Sequence, residues 1–203
     1  MRGRHGLASL ALFTVAGVAT ADTQVDRVWL KYADHVPEYC LYVQVLPDRV
    51  TPAYHDHPLS TGKYRSSFGT AWNHMHHYCW GLEAMFEATQ PEVEPVIQRG
   101  LYSSAVSDFD YVLERMPDAI FLKPEIFVQK GLALTLLERH GEAIDAYTDA
   151  LAIRADYVPA YIALSGCFER FGDLEKAASI LRQGLEHAPQ NAMLLEKLGE
   201  FEE

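Results

Sequence analysis

The 203-residue chain is 49% apolar, 11% aromatic and 22% charged, a balance typical of a globular protein of about one domain. This composition excludes collagen-like and disordered proteins, because those lack the apolar side chains that a packed core requires. A formal net charge of -11 disfavours nucleic acid and anionic membrane surfaces as partners and predicts a partner that is basic, neutral or apolar.

Residues 1–21 have the features of a cleaved secretory signal. Arg2 and Arg4 precede an apolar stretch over residues 7–18, and Ala19-Thr20-Ala21 supplies the small residues expected before a cleavage point. An anchoring helix is the less favoured alternative, because about twelve residues are too few to cross ~30 Å of hydrocarbon. We therefore predict a periplasmic or secreted protein whose mature chain begins at Asp22 and has no further membrane segment.

The chain has three cysteines, and the predicted export makes a disulfide between two of them the expected state, because oxidising compartments favour disulfides. We favour a bridge between Cys40 and Cys79, which would tie the segment before the repeats to the first long helix. Cys167 lies in a helical pattern and is predicted to be a buried free thiol, with pairing between chains as the alternative.

Residues 22–70 differ in sequence pattern from the rest of the chain. A short helix is predicted near residues 25–33. The apolar, β-branched residues 39–46 are followed by Pro47, Pro52, Pro58 and Gly62, which predicts irregular structure with at most one short strand. We expect this region to be an irregular cap packed against the remainder of the chain.

Residues 72–81 read Trp-Asn-His-Met-His-His-Tyr-Cys-Trp-Gly and place imidazole, thiol and aromatic side chains close together in the sequence. Imidazole and thiol groups could here ligate copper or zinc, from His74, His76, His77 and Cys79. The favoured alternative is a packed aromatic face with hydrogen-bonded histidines, because no established metal-ligand spacing is present. A disulfide at Cys79 would also deny that sulfur to a metal.

The chain repeats with a period of 34 residues. Gly131-Leu132-Ala133 aligns with Ser165-Gly166-Cys167, and Glu142-Ala143-Ile144 aligns with Lys176-Ala177-Ala178. Small residues at such positions let two helices approach closely, and large ones fill the groove to the next repeat. The pattern resembles the tetratricopeptide repeat, and the resemblance implies an all-α solenoid of helix-turn-helix repeats.

Regular repeats are predicted at residues 124–157 and 158–191, with a truncated repeat at 192–203 and a distorted one at 71–117. Ala105, Phe109 and Pro117 have the spacing of a repeat's second helix, and Gly81 is the candidate small residue of the distorted repeat's first helix. The solenoid as a whole is predicted to span residues 71–203.

The resemblance also implies a binding surface, since first helices line the concave groove in the tetratricopeptide family. The groove positions carried onto this chain are Glu125, Val128, Leu132, Thr135, Leu136, Pro159, Ile162, Gly166, Glu169, Arg170, Met193, Glu196 and Glu200. The Lys and Asn residues of members that bind a carboxylate terminus are missing. We expect an apolar groove with acidic margins, suited to a segment with apolar anchors and basic flanks. The alternative is that Val128 and Leu132 pack against the N-terminal cap.

No nucleophile elbow, phosphate-binding loop or kinase motif is present, so neither an enzyme nor a cofactor is predicted.

The chain is also similar to exported repeat proteins that carry a His-His-Tyr-Cys segment before the repeats, from which no activity carries over. The leading prediction is an exported, non-catalytic scaffold for protein–protein interaction or for assembly of an envelope complex. The alternatives are a periplasmic metal-binding protein and a homo-oligomer formed through open repeat ends.

Overall fold

The computed structural model describes residues 35–37, 39–40 and 64–201. The predicted signal sequence, the helix predicted near residues 25–33 and most of the apolar segment 39–46 lie outside these residues. Within the described part of the chain the regular structure is entirely helical, with no strand. The predicted all-α, tetratricopeptide-like repeat fold is confirmed.

The helices follow one another with short connections. They are α1 Tyr64–Phe68, a 3-10 helix Gly69–His74, α2 Met75–Ala88, α3 Pro95–Arg115, α4 Lys123–Leu136, α5 His140–Ile153, α6 Val158–Arg170, α7 Leu174–His187 and α8 Ala192–Gly199. A proline occupies the first turn of α3, α4 and α6, where its missing N–H leaves no bond unmade. None of the described helices has the length and apolarity that a membrane crossing requires.

Helices pack in consecutive pairs: α2 on α3, α4 on α5, and α6 on α7. The short turns within these pairs make their helices antiparallel. The first helices α2, α4, α6 and α8 also contact one another in order, whereas the second helices approach each other less closely. The stack therefore curves with its first helices on the inner side.

In two of the pairs, an aromatic ring of the second helix packs directly against a glycine of the first helix. A Cβ atom at Gly131 would overlap the ring of Tyr147, and one at Gly81 would overlap the ring of Phe109. The α2–α3 pair thus repeats the contact of the α4–α5 pair despite its longer connection. Gly199 holds the same place in α8, and no atom lies near its Cβ position.

A disulfide holds the described part of the N-terminal cap against α2. Cys40 and Cys79 are bonded, with their Cα atoms 5.4 Å apart, and both are buried beside Val36. The ring of His35 stacks on Phe86 with centroids 3.9 Å apart. This bridge joins the pair favoured from the sequence, and Cys167 is free and buried.

Candidate functional site

Two leucines lie exposed on the inner helix α4. Leu132 and Leu136 expose 37% and 43% of their surface, and they are one turn apart on the same helix face. Other predicted groove residues are also exposed, namely Pro159, Arg170, Met193, Glu196 and Glu200, whereas Glu125, Ile162, Gly166 and Glu169 are partly buried. The inner face therefore presents apolar side chains with carboxylates around them.

Two of the predicted groove residues belong instead to the core. Val128 exposes only 6% of its surface and Thr135 only 8%. The Thr135 hydroxyl donates a 2.8 Å hydrogen bond to the carbonyl of Gly131 one turn earlier, which draws it onto its own helix. The prediction that Val128 and Thr135 line the groove is wrong, because both side chains are buried between packed helices.

A carboxylate on the inner side of α4 contacts the first helix pair. Tyr78 Oη donates a 2.8 Å hydrogen bond to Glu125 Oε1. Tyr78 is completely buried, and this burial, with the nearby Tyr39 phenol and the charge of Glu125, raises the pKa of Tyr78 well above its usual value. Tyr78 therefore stays a neutral donor that orients Glu125.

The ion pairs nearer the C-terminus order the other end of this face. Lys197 Nζ on α8 lies 3.1 Å from Glu169 Oε2 on α6 and 2.5 Å from Glu200 Oε2. The hydrogen bond to Glu200, followed by the contacts with Glu169, raises the pKa of Lys197. Glu169 was predicted from the sequence to line the groove. Its carboxylate forms an ion pair that links the neighbouring first helices α6 and α8.

The histidines of residues 72–81 pack against α3. His77 Nδ1 donates a 2.6 Å hydrogen bond to Asp108 Oδ1, and its ring lies over Tyr111 with centroids 3.7 Å apart. The Arg115 guanidinium lies 3.8 Å from the centroid of the same tyrosine ring. His77 thus has the packed, hydrogen-bonded setting that the sequence analysis favoured over a metal site, whereas His74 Nδ1 is buried with no hydrogen-bond partner among the described residues.

The structure does not bring the predicted metal ligands together as a donor set. The Cys79 sulfur is used in the disulfide, so it offers no thiolate. His76 lies with its ring 4.5 Å from the ring of His77, while His74 has its closest ring contact with Tyr111. Across residues 35–37, 39–40 and 64–201, no three His, Cys, Asp or Glu side chains are grouped in a way that could hold a metal ion.

Asp108 and Tyr111 were missed at the sequence level, because they lie on a different helix from the histidines. One signal was available. Phe109 was already recognised as the aromatic residue of a second helix, and its counterpart on the first helix is Gly81, one turn after His77. Aligning this glycine with this ring brings the part of α3 around Asp108 and Tyr111 against the part of α2 that contains His77.

His76 makes the stability of this face depend on pH. Burial, and then the neighbouring His77 and His74, lower the pKa of His76 to about 4. The unfolded chain, with a His pKa of about 6.5, therefore binds more protons as the pH falls towards 4, and the folded state loses stability over that range. His76 is partly exposed, so solvent screens part of this effect, and between about pH 7 and pH 4.5 we expect wild type to lose on the order of 1 kcal/mol more than His76→Gln in urea unfolding. Identical losses in the two proteins would contradict this assignment.

The comparison with protein families agrees with the geometry of the stack. A family model described as the tetratricopeptide repeat matches residues 134–198, which run from the end of α4 into α8. No curated protein matches the chain. The chain is thus a helical-repeat protein with a segment similar to tetratricopeptide repeats, a class whose members act as protein-binding scaffolds.

Proposed function

We propose that this chain is an exported, non-catalytic scaffold that binds another protein through the inner face of its helix stack, as part of an envelope assembly. The exposed pair Leu132 and Leu136 on α4 carries the proposal, because exposed apolar side chains on an inner repeat helix are suited to anchoring a partner. Export is supported by the signal pattern of residues 1–21 and by the buried disulfide.

The expected partner offers an apolar anchor with basic neighbours. The exposed carboxylate of Glu196 borders the inner face, Glu200 beside it is paired with Lys197, and the chain carries a net charge of -11. Complementary charge speeds encounter and selects the register, and burial of the leucines supplies much of the affinity. A basic, amphipathic segment meets both requirements.

Leu132→Glu with Leu136→Glu tests this surface. We expect the double variant to retain its fold and to lose at least about tenfold in partner capture, because a carboxylate buried in an apolar contact is desolvated without compensation. The measurement is quantitative pull-down from an envelope extract with the purified, tagged protein, alongside circular dichroism melting of each variant.

The matched control is Val96→Glu with Ile97→Glu in the first turn of α3. These side chains are exposed by 75% and 57%, and they lie on a second helix, away from the inner face. The control should capture as wild type does. Equal capture by the Leu132/Leu136 variant and wild type would contradict the proposal, as would capture of nothing but further copies of this chain.

A further inference from the structure

The inner sides of α2 and α4 correspond position by position. Gly81 and Gly131 each pack against an aromatic ring of the following helix, which makes them equivalent positions of two repeats. The same alignment pairs Tyr78 with Val128, and both are buried. It also pairs three positions of the inner side, namely Cys79 with Gln129, Leu82 with Leu132, and Phe86 with Leu136.

On α2 these positions are covered by the chain's own N-terminal cap. Val36 and Cys40 form a buried cluster with Cys79, and Leu82 and Phe86 pack against this cluster. The disulfide makes the contact covalent. The described cap residues, 35–37 and 39–40, therefore lie on α2 where a bound segment would lie on another repeat.

The bound cap has a defined direction along α2. The ring of His35 stacks on Phe86, whereas Cys40 is bonded to Cys79, about two helical turns earlier in α2. The cap chain therefore runs antiparallel to the helix. The N–H of Cys40 donates a 2.8 Å hydrogen bond to the carbonyl of Pro37, so the segment ends in a turn.

On α4 the equivalent apolar pair is exposed. Leu132 and Leu136 expose 37% and 43% of their surface. The later first helices have no such pair, because α6 has Gly166 and Arg170 at the equivalent positions and α8 has Glu200 at the first of them. Among the described first helices, α4 is therefore the one that presents this apolar pair to solvent.

We propose that the partner binds α4 as the cap binds α2, with a short segment that runs antiparallel to α4 and ends in a turn. A ring of this segment covers Leu136, as His35 covers Phe86. The next residue is aliphatic and is buried against α4, as Val36 is buried against α2. Equivalent repeats present equivalent surfaces, so the cap shows which side chains this surface accepts. The inference rests on the proposed function, because it specifies the apolar part of the segment that binds there.

Disulfide tethering tests this equivalence with no partner present. Gln129→Cys places a thiol on α4 where α2 has Cys79. The probe is a peptide of residues 35–41 whose cysteine carries glutathione, and exchange joins the peptide to the protein thiol and releases glutathione. The matched peptide has Val36→Asp. We expect the unchanged peptide to form adduct with an equilibrium constant at least about tenfold larger, because tethering makes a weak contact measurable. Intact mass in a glutathione buffer gives the yields.

The control chain is Val96→Cys, which places a thiol at an exposed position on α3. It should capture the two peptides equally. Gln129→Cys combined with Leu132→Ser and Leu136→Ser should also capture them equally, because its inner face lacks the apolar pair. Wild type, whose free thiol Cys167 is buried, should capture neither.

A preference at Gln129→Cys that is no larger than at Val96→Cys, or that survives the loss of both leucines, would overturn the proposal. Disulfide-linked dimers of the Gln129→Cys chain in place of peptide adducts would also overturn it, since they would make a second copy the occupant. Capture from the extract by Leu132→Glu with Leu136→Glu is measured independently, so the two proposals fail separately.

Discussion

Ala143→Trp is expected to unfold the α4–α5 pair. Ala143 is completely buried in the core on α5, where its small size lets the two helices approach. Overpacking commonly costs ~1 to 3 kcal/mol, and a substitution this large should reach or exceed about 3 kcal/mol. Urea unfolding followed by circular dichroism measures the change in the free energy of unfolding.

The control for this substitution is Ala152→Trp, on the same helix but exposed. It introduces the same side chain at a position where solvent can accommodate it, so we expect a change within about 0.5 kcal/mol. If both variants unfold at the wild-type urea concentration, Ala143 does not lie at the contact between helices and the proposed repeat register is wrong.

Removal of the disulfide should produce the second large effect. The bridge joins residues 39 positions apart, and closing such a loop in the unfolded chain corresponds to about 4 kcal/mol in the chain-entropy model. We expect Cys40→Ala with Cys79→Ala to lower the free energy of unfolding by about 2 to 4 kcal/mol. Unfolding of wild type with a thiol reductant should show a similar loss.

Cys167→Ala is the comparison for the disulfide variant, because it removes a buried but unpaired thiol. This loss of one small side chain is expected to cost less than the double substitution, and its stability should still respond to reductant. A wild-type protein whose unfolding is indifferent to reductant would contradict a stabilising role for the bridge.

The fold could be predicted from the sequence because close helix packing requires small residues at fixed positions of the repeat. The alignment of Gly131 with Ser165 and of Ala143 with Ala177 predicted which helices pair. The structure packs the Tyr147 ring against Gly131, and the Ser165 hydroxyl donates to the Ala177 carbonyl. The distorted first pair was also recoverable, since Gly81 and Phe109 make the same contact as Gly131 and Tyr147. These signals are local to one repeat.

The binding face was less predictable, because family positions give a helix face but not the exact rotation and tilt of each helix. Val128 was placed in the groove and lies in the core, whereas Leu132, one turn later, is exposed. The partners of Tyr78 and His77 are Glu125 and Asp108, 47 and 31 positions away. Sequence spacing within α2 carries no information about which side chains of other helices lie opposite.

Site-specific photo-crosslinking at Leu132 tests binding through the inner face most directly. A benzoylphenylalanine placed at Leu132 should form a covalent adduct with the captured protein, and the same residue placed at Val96 on α3 should not. Adducts that form from Val96 but not from Leu132 would contradict the account, because they would place the partner on the outer side of the stack.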